Sequence, residues 1–370
     1  MRYYIIAGEH SGDVHGADLI RQIKRIDYQA TFWACGGLAM SKAMGRPCNV
    51  DGSKMGYIGI DFLKKWYALW KVLQFCQKSL IGYQPDLVIL IDYSGFNMRI
   101  AAFAKRNGFP VDYYIPPKIW AHGSRRIEQI KRNVDRVWSI LPFEVAYYQA
   151  KGYCTIHYVG HPLVQKVSDH RINPDFITEN KLDNRPIIAL LPGSRWDEIR
   201  RLLPLMVAQA DGFKGYQLVV AGLSHLPKCA YKGVCSAQVK LVYDQTYDLM
   251  AVAKAGIVAS GTASLEAALF NLPQIVVYKL HPLAYFFYKR MVTIQYISLV
   301  NLLVDELVVP ELIQYQLTSY NLYLHLTTLL SDSGSIKQQA AYQVVRELLG
   351  KEHAAAAVAK SMYNDRKKMG

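Results

Sequence analysis

Short unbroken runs of Val, Ile, Leu and Ala recur along this chain, each followed by a turn and then a helical pattern. In the first half they are Tyr3–Ala7, Leu87–Ile91, Val111–Ile115 and Val137–Leu141; in the second, Ile187–Leu191, Gln217–Ala221, Val239–Val242, Gly256–Ala259 and Gln274–Tyr278. A strand with one wet face alternates apolar and polar residues. Continuous runs instead call for strands covered on both faces, as in a parallel sheet between two helix layers. The intervals leave room for the crossover helices that parallel pairing needs. The expected fold is therefore α/β, with two doubly wound Rossmann-like domains facing across a cleft. The length of 370 residues fits two domains, at roughly 100–200 residues each. The polar stretch Ser168–Pro186 is the expected linker. The expected division is 1–167, then 186–332, then a C-terminal helix and basic tail over 333–370 with the option of packing back on the first domain. Helices are expected over Thr318–Leu330 and Ser335–Leu349, and Asn364–Lys368 reads as a solvated basic terminus.

Composition narrows the function classes. Hydrophobic residues at 51% against 19% charged exclude a disordered chain. Lys and Arg number 43 against 29 Asp and Glu, and the resulting +14 favours an anionic partner: nucleic acid, an acidic lipid surface or a phosphorylated small molecule. A non-catalytic RNA-binding protein is a remote alternative, because no RRM, KH or zinc-knuckle signature is present. Six cysteines (35, 48, 76, 154, 229, 235) without a C-x-x-C pair read as reduced thiols of a cytosolic protein. The apolar run at Tyr3–Ala7 is too short for a signal peptide. No stretch reaches the ~18 apolar residues of a spanning helix, so a soluble or peripheral protein is expected.

In doubly wound sheets, ligands bind at the carboxyl ends of the strands, so the loops there hold the candidate residues. After the first strand comes Gly8-Glu9-His10-Ser11-Gly12-Asp13-Val14-His15-Gly16, which fits neither the dinucleotide fingerprint nor a Walker loop. It reads either as a capped strand-to-helix turn or as a substrate loop, with polar side chains crowded where backbone can come close. Asp92 ends the buried run Leu87–Ile91 and reads either as a cap of the next helix or as a general base. Pro192-Gly193-Ser194-Arg195 leads into a helix whose free N–H groups and dipole suit an anion, and Arg195 can fork two donors onto a phosphate. Ser260-Gly261-Thr262-Ala263-Ser264-Leu265-Glu266 is a second such turn, and Glu266 can accept two hydrogen bonds from a ribose diol. Two anion turns in one domain, one followed by an acid, suggest a nucleotide diphosphate.

Other patterns refine this. There is no D-x-D or D-x-E pair to hold a divalent metal under a diphosphate, no H-E-x-x-H and no G-x-S-x-G. A leaving diphosphate would then rely on Arg195 and helix N-termini, with no metal and no cofactor. His157 and His161 are separated by Gly160, and Pro162 follows, which disfavours a zinc pair. Asp61–Leu80 reads as an amphipathic helix with Phe62, Trp66, Leu69, Leu73, Cys76 and Leu80 on one stripe and Lys64, Lys71 and Lys78 opposite. Leu63, Trp66, Tyr67 and Trp70 exceed what one stripe needs. Packing on the domain and contact with a bilayer both fit, since Trp and Tyr favour the membrane interface and lysines favour an anionic leaflet. Tyr285-Phe286-Phe287-Tyr288-Lys289-Arg290 is a second greasy, basic candidate.

With these pieces assembled, the chain resembles the lipid-A-disaccharide synthase family over nearly its whole length. The resemblance rests on Ala7-Gly8-Glu9-His10-Ser11-Gly12-Asp13, on Pro85-Asp86 leading to Ile91-Asp92 and Phe96-Asn97, and on Leu141-Pro142-Phe143-Glu144. It continues through Val159-Gly160-His161-Pro162-Leu163, Leu191-Pro192-Gly193-Ser194-Arg195, Ser260-Gly261-Thr262 with Leu265-Glu266, and Asn301-Leu302-Leu303 followed by Pro310-Glu311 and Gln314.

The resemblance implies a two-domain glycosyltransferase of the B type that joins UDP-2,3-diacylglucosamine to 2,3-diacylglucosamine 1-phosphate, inverting the anomeric centre and releasing UDP. Carried onto this chain, it implies Asp92 as base with help from Glu9 or His10. Gly193, Ser194, Arg195, Ser260, Gly261, Thr262 and Glu266 hold the nucleotide. Substrate contacts fall to His10, Ser11, Gly12, Asp13 and Asn97, and the sugar pocket to Asn301, Glu311 and Gln314. Both substrates carry acyl chains, which gives Lys64, Trp66, Tyr67, Trp70 and Lys71 a membrane to touch: the cytoplasmic face of the inner membrane, peripherally. A homodimer is allowed for, and nucleic acid is not a partner. Where family members have D-x-P-D-F-N this chain has Asp92-Tyr93-Ser94-Gly95-Phe96-Asn97, without the second acid, and it reads Trp120-Ala121-His122-Gly123 where tryptophan-rich sequence is usual. Ser264 replaces the usual threonine. The enzymatic alternative is another UDP-N-acetylglucosamine-using enzyme of the same fold, a transferase or a 2-epimerase.

Overall fold

The computed structural model describes residues 1–52, 62–121, 123, 126–231, 234, 238–282, 285–286 and 294–367, without the side chains of 62–66 and 332. The chain divides into two compact units: Met1–Pro162 with Lys351–Gly370, and Leu163–Gly350.

Among the described residues of the first unit, seven strands form one sheet in the order β3-β2-β1-β4-β5-β6-β7, and every pairing is parallel. They are β1 (Arg2–Ala7), β2 (Thr31–Gly36), β3 (Val50–Asp51), β4 (Leu87–Ile91), β5 (Val111–Tyr114), β6 (Arg136–Ser139) and β7 (Ile156–Tyr158). The helices are α1 (His10–Ile26), α2 (Leu38–Met44), α3 (Phe62–Tyr83), α4 (Ser94–Arg106), α5 (Ile127–Asn133) and α6 (Pro142–Ala150). The continuous runs do what their composition demands. Tyr4, Ile6, Val88 and Leu90 enter one core, while Tyr3, Ile5, Ile89 and Ile91 enter the other, on the opposite face. β2 lacks a Val/Ile run. Its Trp33 stacks on Tyr4 at 4.1 Å and Phe32 on Tyr3 at 5.5 Å, so aromatic cross-strand pairs replace β-branched ones.

The second unit repeats the plan. Its sheet runs β10-β9-β8-β11-β12-β13, from β8 (Ile187–Leu191), β9 (Gln217–Gly222), β10 (Val239–Tyr243), β11 (Ala255–Ala259), β12 (Gln274–Tyr278) and β13 (Glu311–Ile313), again parallel throughout. Its helices are α7 (Pro162–Ser168), α8 (Phe176–Glu179), α9 (Trp196–Val207), α10 (Thr246–Val252), α11 (Thr262–Leu269), α12 (Leu299–Val304), α13 (Ser319–Leu330) and α14 (Asp332–Leu349). The expected linker 168–186 is corrected here. It carries α8, and Phe176 and Leu182 are buried in this unit's core, while His170 and the Asn173 amide bond the Asp248 carboxylate. Two apolar anchors hold an otherwise polar segment in place.

The expected solvated tail is also corrected. It closes a helix, Ala354–Lys367, in the first unit, whose Ala354, Val358, Ala359 and Met362 join the core shared with α1. Asp365 pairs with Arg136 at 3.0 Å, and Arg366 lies 3.8 Å from Asp112. Asp112 is fully buried on β5 and accepts from the Trp138 indole at 2.9 Å. Burial pushes its carboxyl up to about 6, opposed by that hydrogen bond and by Arg366 and Arg136. A charge that deep needs a cation beside it, and the last turn of the chain brings one.

Glu144 is a second buried acid. It is held by the Trp120 indole at 2.8 Å and by the Ser139 hydroxyl. Burial raises its carboxyl to about 7, against those two hydrogen bonds and Lys118. The folded chain thus binds this proton more tightly than the unfolded chain does. The stability it confers is complete below the ordinary carboxyl range and is lost as pH rises through about 7. Glu144→Gln removes the titration and keeps an acceptor for Trp120. Between pH 5 and pH 8, wild type should lose about 2–3 kcal/mol more than the variant in urea unfolding; parallel pH curves would refute this.

Candidate active site

Each sheet reverses its winding once. In the first unit the reversal falls between β1 and β4, and in the second between β8 and β11. There, successive loops leave in opposite directions and open a crevice at the carboxyl ends. The four loops that follow these four strands are the ones in which the sequence concentrates its candidate residues.

In the second unit, the turns after β8 and β11 enclose a cavity of about 320 Å³. All seven residues expected to hold a nucleotide line it: Gly193, Ser194, Arg195, Ser260, Gly261, Thr262 and Glu266. α9 and α11 both start at its wall, and no side chain caps either helix. Their first N–H groups and dipoles therefore face the cavity without a capping side chain, although Glu198 of the first turn of α9 stands in the same wall. Gly261, at φ 155° and ψ −156°, occupies backbone space essentially reserved for glycine, and nothing lies within 4 Å of where its Cβ would be. Ser264 Oγ donates to the Gly261 carbonyl at 2.8 Å, and Ser260 Oγ to the Ile297 carbonyl at 3.2 Å, which fixes the turn. Arg195 is 79% exposed and only 3.7 Å from Glu198, a weak pairing that leaves the guanidinium available to an anion. Glu266 accepts a 2.6 Å hydrogen bond from Tyr247. Glu198 and Thr246 also line the cavity. Sequence reading missed both, although Glu198 stands one turn after Arg195.

In the first unit, Asp92 and Tyr93 follow β4 at φ 48° and 44°, two successive non-glycine residues in left-handed conformation. Such backbone costs roughly 1–3 kcal/mol per residue and persists only where its surroundings fix it. Here the fixing groups are visible. The Tyr113 hydroxyl donates to the Asp92 carbonyl at 2.6 Å, and the Asn97 amide donates to the carbonyls of Asp92 (2.8 Å) and Ile91 (3.1 Å). The Tyr93 ring lies flat on Gly8, where any Cβ would fall 2.2 Å from it. Burial, with the Glu9 carboxylate nearby, raises the Tyr93 phenol.

A cavity of about 580 Å³ is lined by Glu9, His10, Asp13, Lys42, Cys48 and Asp51 among others. Asp13 is already engaged, accepting from the amides of Gly37, Ala39 and Met40 at the start of α2. Gly12 is a buried packing position, where a Cβ would fall 3.3 Å from that of Ala7, and Ser11 is exposed beyond the cavity. His161, also in this unit, is buried, and burial, then His15 and Lys118, push it down to about 3, so it stays neutral.

Comparison with known proteins decides the family. The sequence model of lipid-A-disaccharide synthetase matches residues 3–362. The chain belongs to the lipid-A-disaccharide synthetase family. Similar relatives include the lipid-A-disaccharide synthase of Geobacter metallireducens, 36% identical over 97% of this chain and 95% of that protein. That of Trichlorobacter lovleyi is 37% identical over 90% and 88%. Among solved structures, the fold is similar to UDP-GlcNAc 2-epimerase from Neisseria meningitidis, with TM-score 0.69, 11% identity and coverage of 98% and 100%. Acinetobacter baumannii MurG gives 0.57, 14%, 98% and 99%. This synthetase family member is thus a glycosyltransferase of lipid A biosynthesis on a doubly wound, B-type fold.

Three other expected residues of the synthetase act on its frame. Asn301 is fully buried, bonding the backbone of Val308 and Val309 and, through its amide, Glu311. Glu311 accepts from the amides of Ile297 and Ser298 at 2.9 Å each, and Gln314 brackets Leu280 with 3.0 and 3.1 Å bonds. None of the three lines the 320 Å³ cavity; Glu311, itself bonded by Asn301, holds Ile297, whose carbonyl accepts from the cavity residue Ser260.

On α3, Leu73, Cys76 and Leu80 are buried while Tyr67, Trp70 and Phe75 are exposed at 54%, 40% and 52%. Lys71 Nζ stands 4.5 Å over the Tyr67 ring. Asp61, His122 and Phe287–Arg290 lie outside the described residues, as do the side chains of Phe62, Leu63, Lys64 and Trp66. Asn97→Ala takes the side-chain donor from the buried Ile91 carbonyl and leaves that of Asp92 to Tyr113 alone, so urea unfolding should show a loss of about 1–3 kcal/mol. A loss under about 0.5 kcal/mol would mean the Asp92 turn does not need this clamp.

Proposed function

We propose that this glycosyltransferase joins UDP-2,3-diacylglucosamine to 2,3-diacylglucosamine 1-phosphate through a β-1,6 bond, with inversion and release of UDP. The observation that carries the reading is the pair of uncapped helix starts on one cavity with Arg195 and Glu266 in its wall. Asp92 takes the proton from the acceptor's 6-hydroxyl as that oxygen bonds the anomeric carbon. The bond from that carbon to the diphosphate breaks on the opposite face, and its electron pair leaves with UDP. The new negative charge meets the helix N-termini and Arg195, which are in place before the reaction. Glu266 accepts from the ribose. Glu9 and His10 contact the acceptor from the larger cavity, while Asn97 fixes the turn that carries the base. Asn301, Glu311 and Gln314 shape the donor side through the backbone they hold.

The acyl chains of both substrates need a lipid surface. The exposed Tyr67, Trp70, Lys71 and Phe75 of α3 offer aromatic rings and a cation to an anionic leaflet. Lys64 and Trp66 belong to the same helix. Among the described residues no helix is long and apolar enough to cross a membrane.

Incubation of the purified protein with both acylated sugars should yield a tetra-acyl disaccharide phosphate by mass spectrometry. Asp92→Asn should cut turnover by about 10²–10⁴-fold and leave UDP affinity unchanged. Arg195→Ala should weaken UDP about 10–100-fold in calorimetry. Wild-type turnover in the first variant, or wild-type affinity in the second, removes that residue from its role. Wild-type protein should co-sediment with anionic vesicles, and Trp70→Ser with Lys71→Glu should release it. Equal sedimentation of the two proteins would rule out this helix as the contact.

A further inference from the structure

In the cavity of the second unit, Glu266 has side-chain partners that the reaction just described does not use. Glu266 sits in its wall on α11, and its carboxylate is not left to solvent. The Tyr247 hydroxyl, from the first turn of α10, donates to Oε1 at 2.6 Å, and Lys166 on α7 brings Nζ to 3.9 Å from the same oxygen. Lys166 Nζ also stands 4.8 Å over the Tyr247 ring. The ring itself is wedged between His170 (5.3 Å) and Phe270 (5.0 Å), so the phenol has little rotational freedom. His170 is in turn held by Asp248, the residue after Tyr247. Burial and the neighbouring carboxylate keep the Tyr247 phenol protonated, well above the ordinary range, and therefore a fixed donor.

A carboxylate can receive a diol across both oxygens only if its plane is set. A side chain with free rotation spends much of its time elsewhere. A rigid phenol on one oxygen fixes that plane and leaves the other oxygen, and the second lone pair of the first, for the ligand.

We propose that Tyr247, steadied by Lys166, is a positioning residue that presents Glu266 to the ribose hydroxyls and thereby sets the preference for a ribonucleotide over a deoxyribonucleotide. This rests on the reading of Glu266 as the ribose ligand. Discrimination follows because a 2′-deoxy ligand leaves the ligand-facing side of a fixed, partly desolvated carboxylate one donor short.

Calorimetry of the full chain with UDP and with 2′-deoxy-UDP tests it without acylated substrates. Wild type should favour UDP. Tyr247→Phe keeps the ring and removes the donor. It should weaken UDP by about 5–20-fold and change 2′-deoxy-UDP by less than about twofold, so the preference shrinks. Equal weakening of both ligands would make Tyr247 a merely structural residue, and an unchanged preference would equally overturn the proposal. Glu266→Ala separates the two levels. If it abolishes the preference while Tyr247→Phe does not, the positioning role fails and the ribose reading survives. If it leaves the preference intact, the ribose reading itself falls.

Discussion

A parallel strand buried on both faces has one place for chemistry, its carboxyl end. Leu87–Ile91, Ile187–Leu191 and Ala255–Ala259 are buried along their whole length, and of the last two only the terminal Leu191 and Ala259 reach the cavity wall. The polar groups of function therefore stand on the turns that follow and on the first turns of the next helices. The winding order then selects among those ends. Only where neighbouring strands send their chains to opposite faces does a crevice open, and in both units those neighbours are the first strand and the fourth.

The two units use this geometry for different work. In the second, helices begin at once after each strand, and neither start is capped by a side chain. The result is a cavity walled by two helix starts, with the exposed Arg195 beside the carboxylates of Glu198 and Glu266. In the first, the turn after β4 is bent into two left-handed residues and clamped by Tyr113 and Asn97. A strained, over-determined backbone suits a group that must hold one direction, whereas a ring of amides suits a spread negative charge.

Much of the polar apparatus spends its hydrogen bonds on backbone. Asp13 closes the start of α2, Asn301 and Glu311 tie the loops before β13, and Gln314 pins Leu280. A polar side chain within a family motif looks the same in sequence whether it meets a ligand or a loop, and the bonds to backbone appear only in the structure. Their bonds to amides and carbonyls shape the loops they stand on, and Asp13 also lines the larger cavity.

Composition and spacing alone yield the α/β class, nine strands, the two-unit plan and the four loops, because unbroken apolar runs have few other ways to be buried. Those runs, and the glycine-hydroxyl turns after them, are local signals. What depended on distant residues stayed illegible. β2 is held by aromatic stacking on β1, the segment 168–186 by Phe176 and Leu182, and the final helix by Val358 and Met362 in the core it shares with α1 and by Arg366 beside Asp112. The same is true of Tyr247 beside Glu266 and Tyr113 beside Asp92, pairs 19 and 21 residues apart. No periodicity announces a hydrogen bond between separate strands and helices; the packing that closes the sheet creates it.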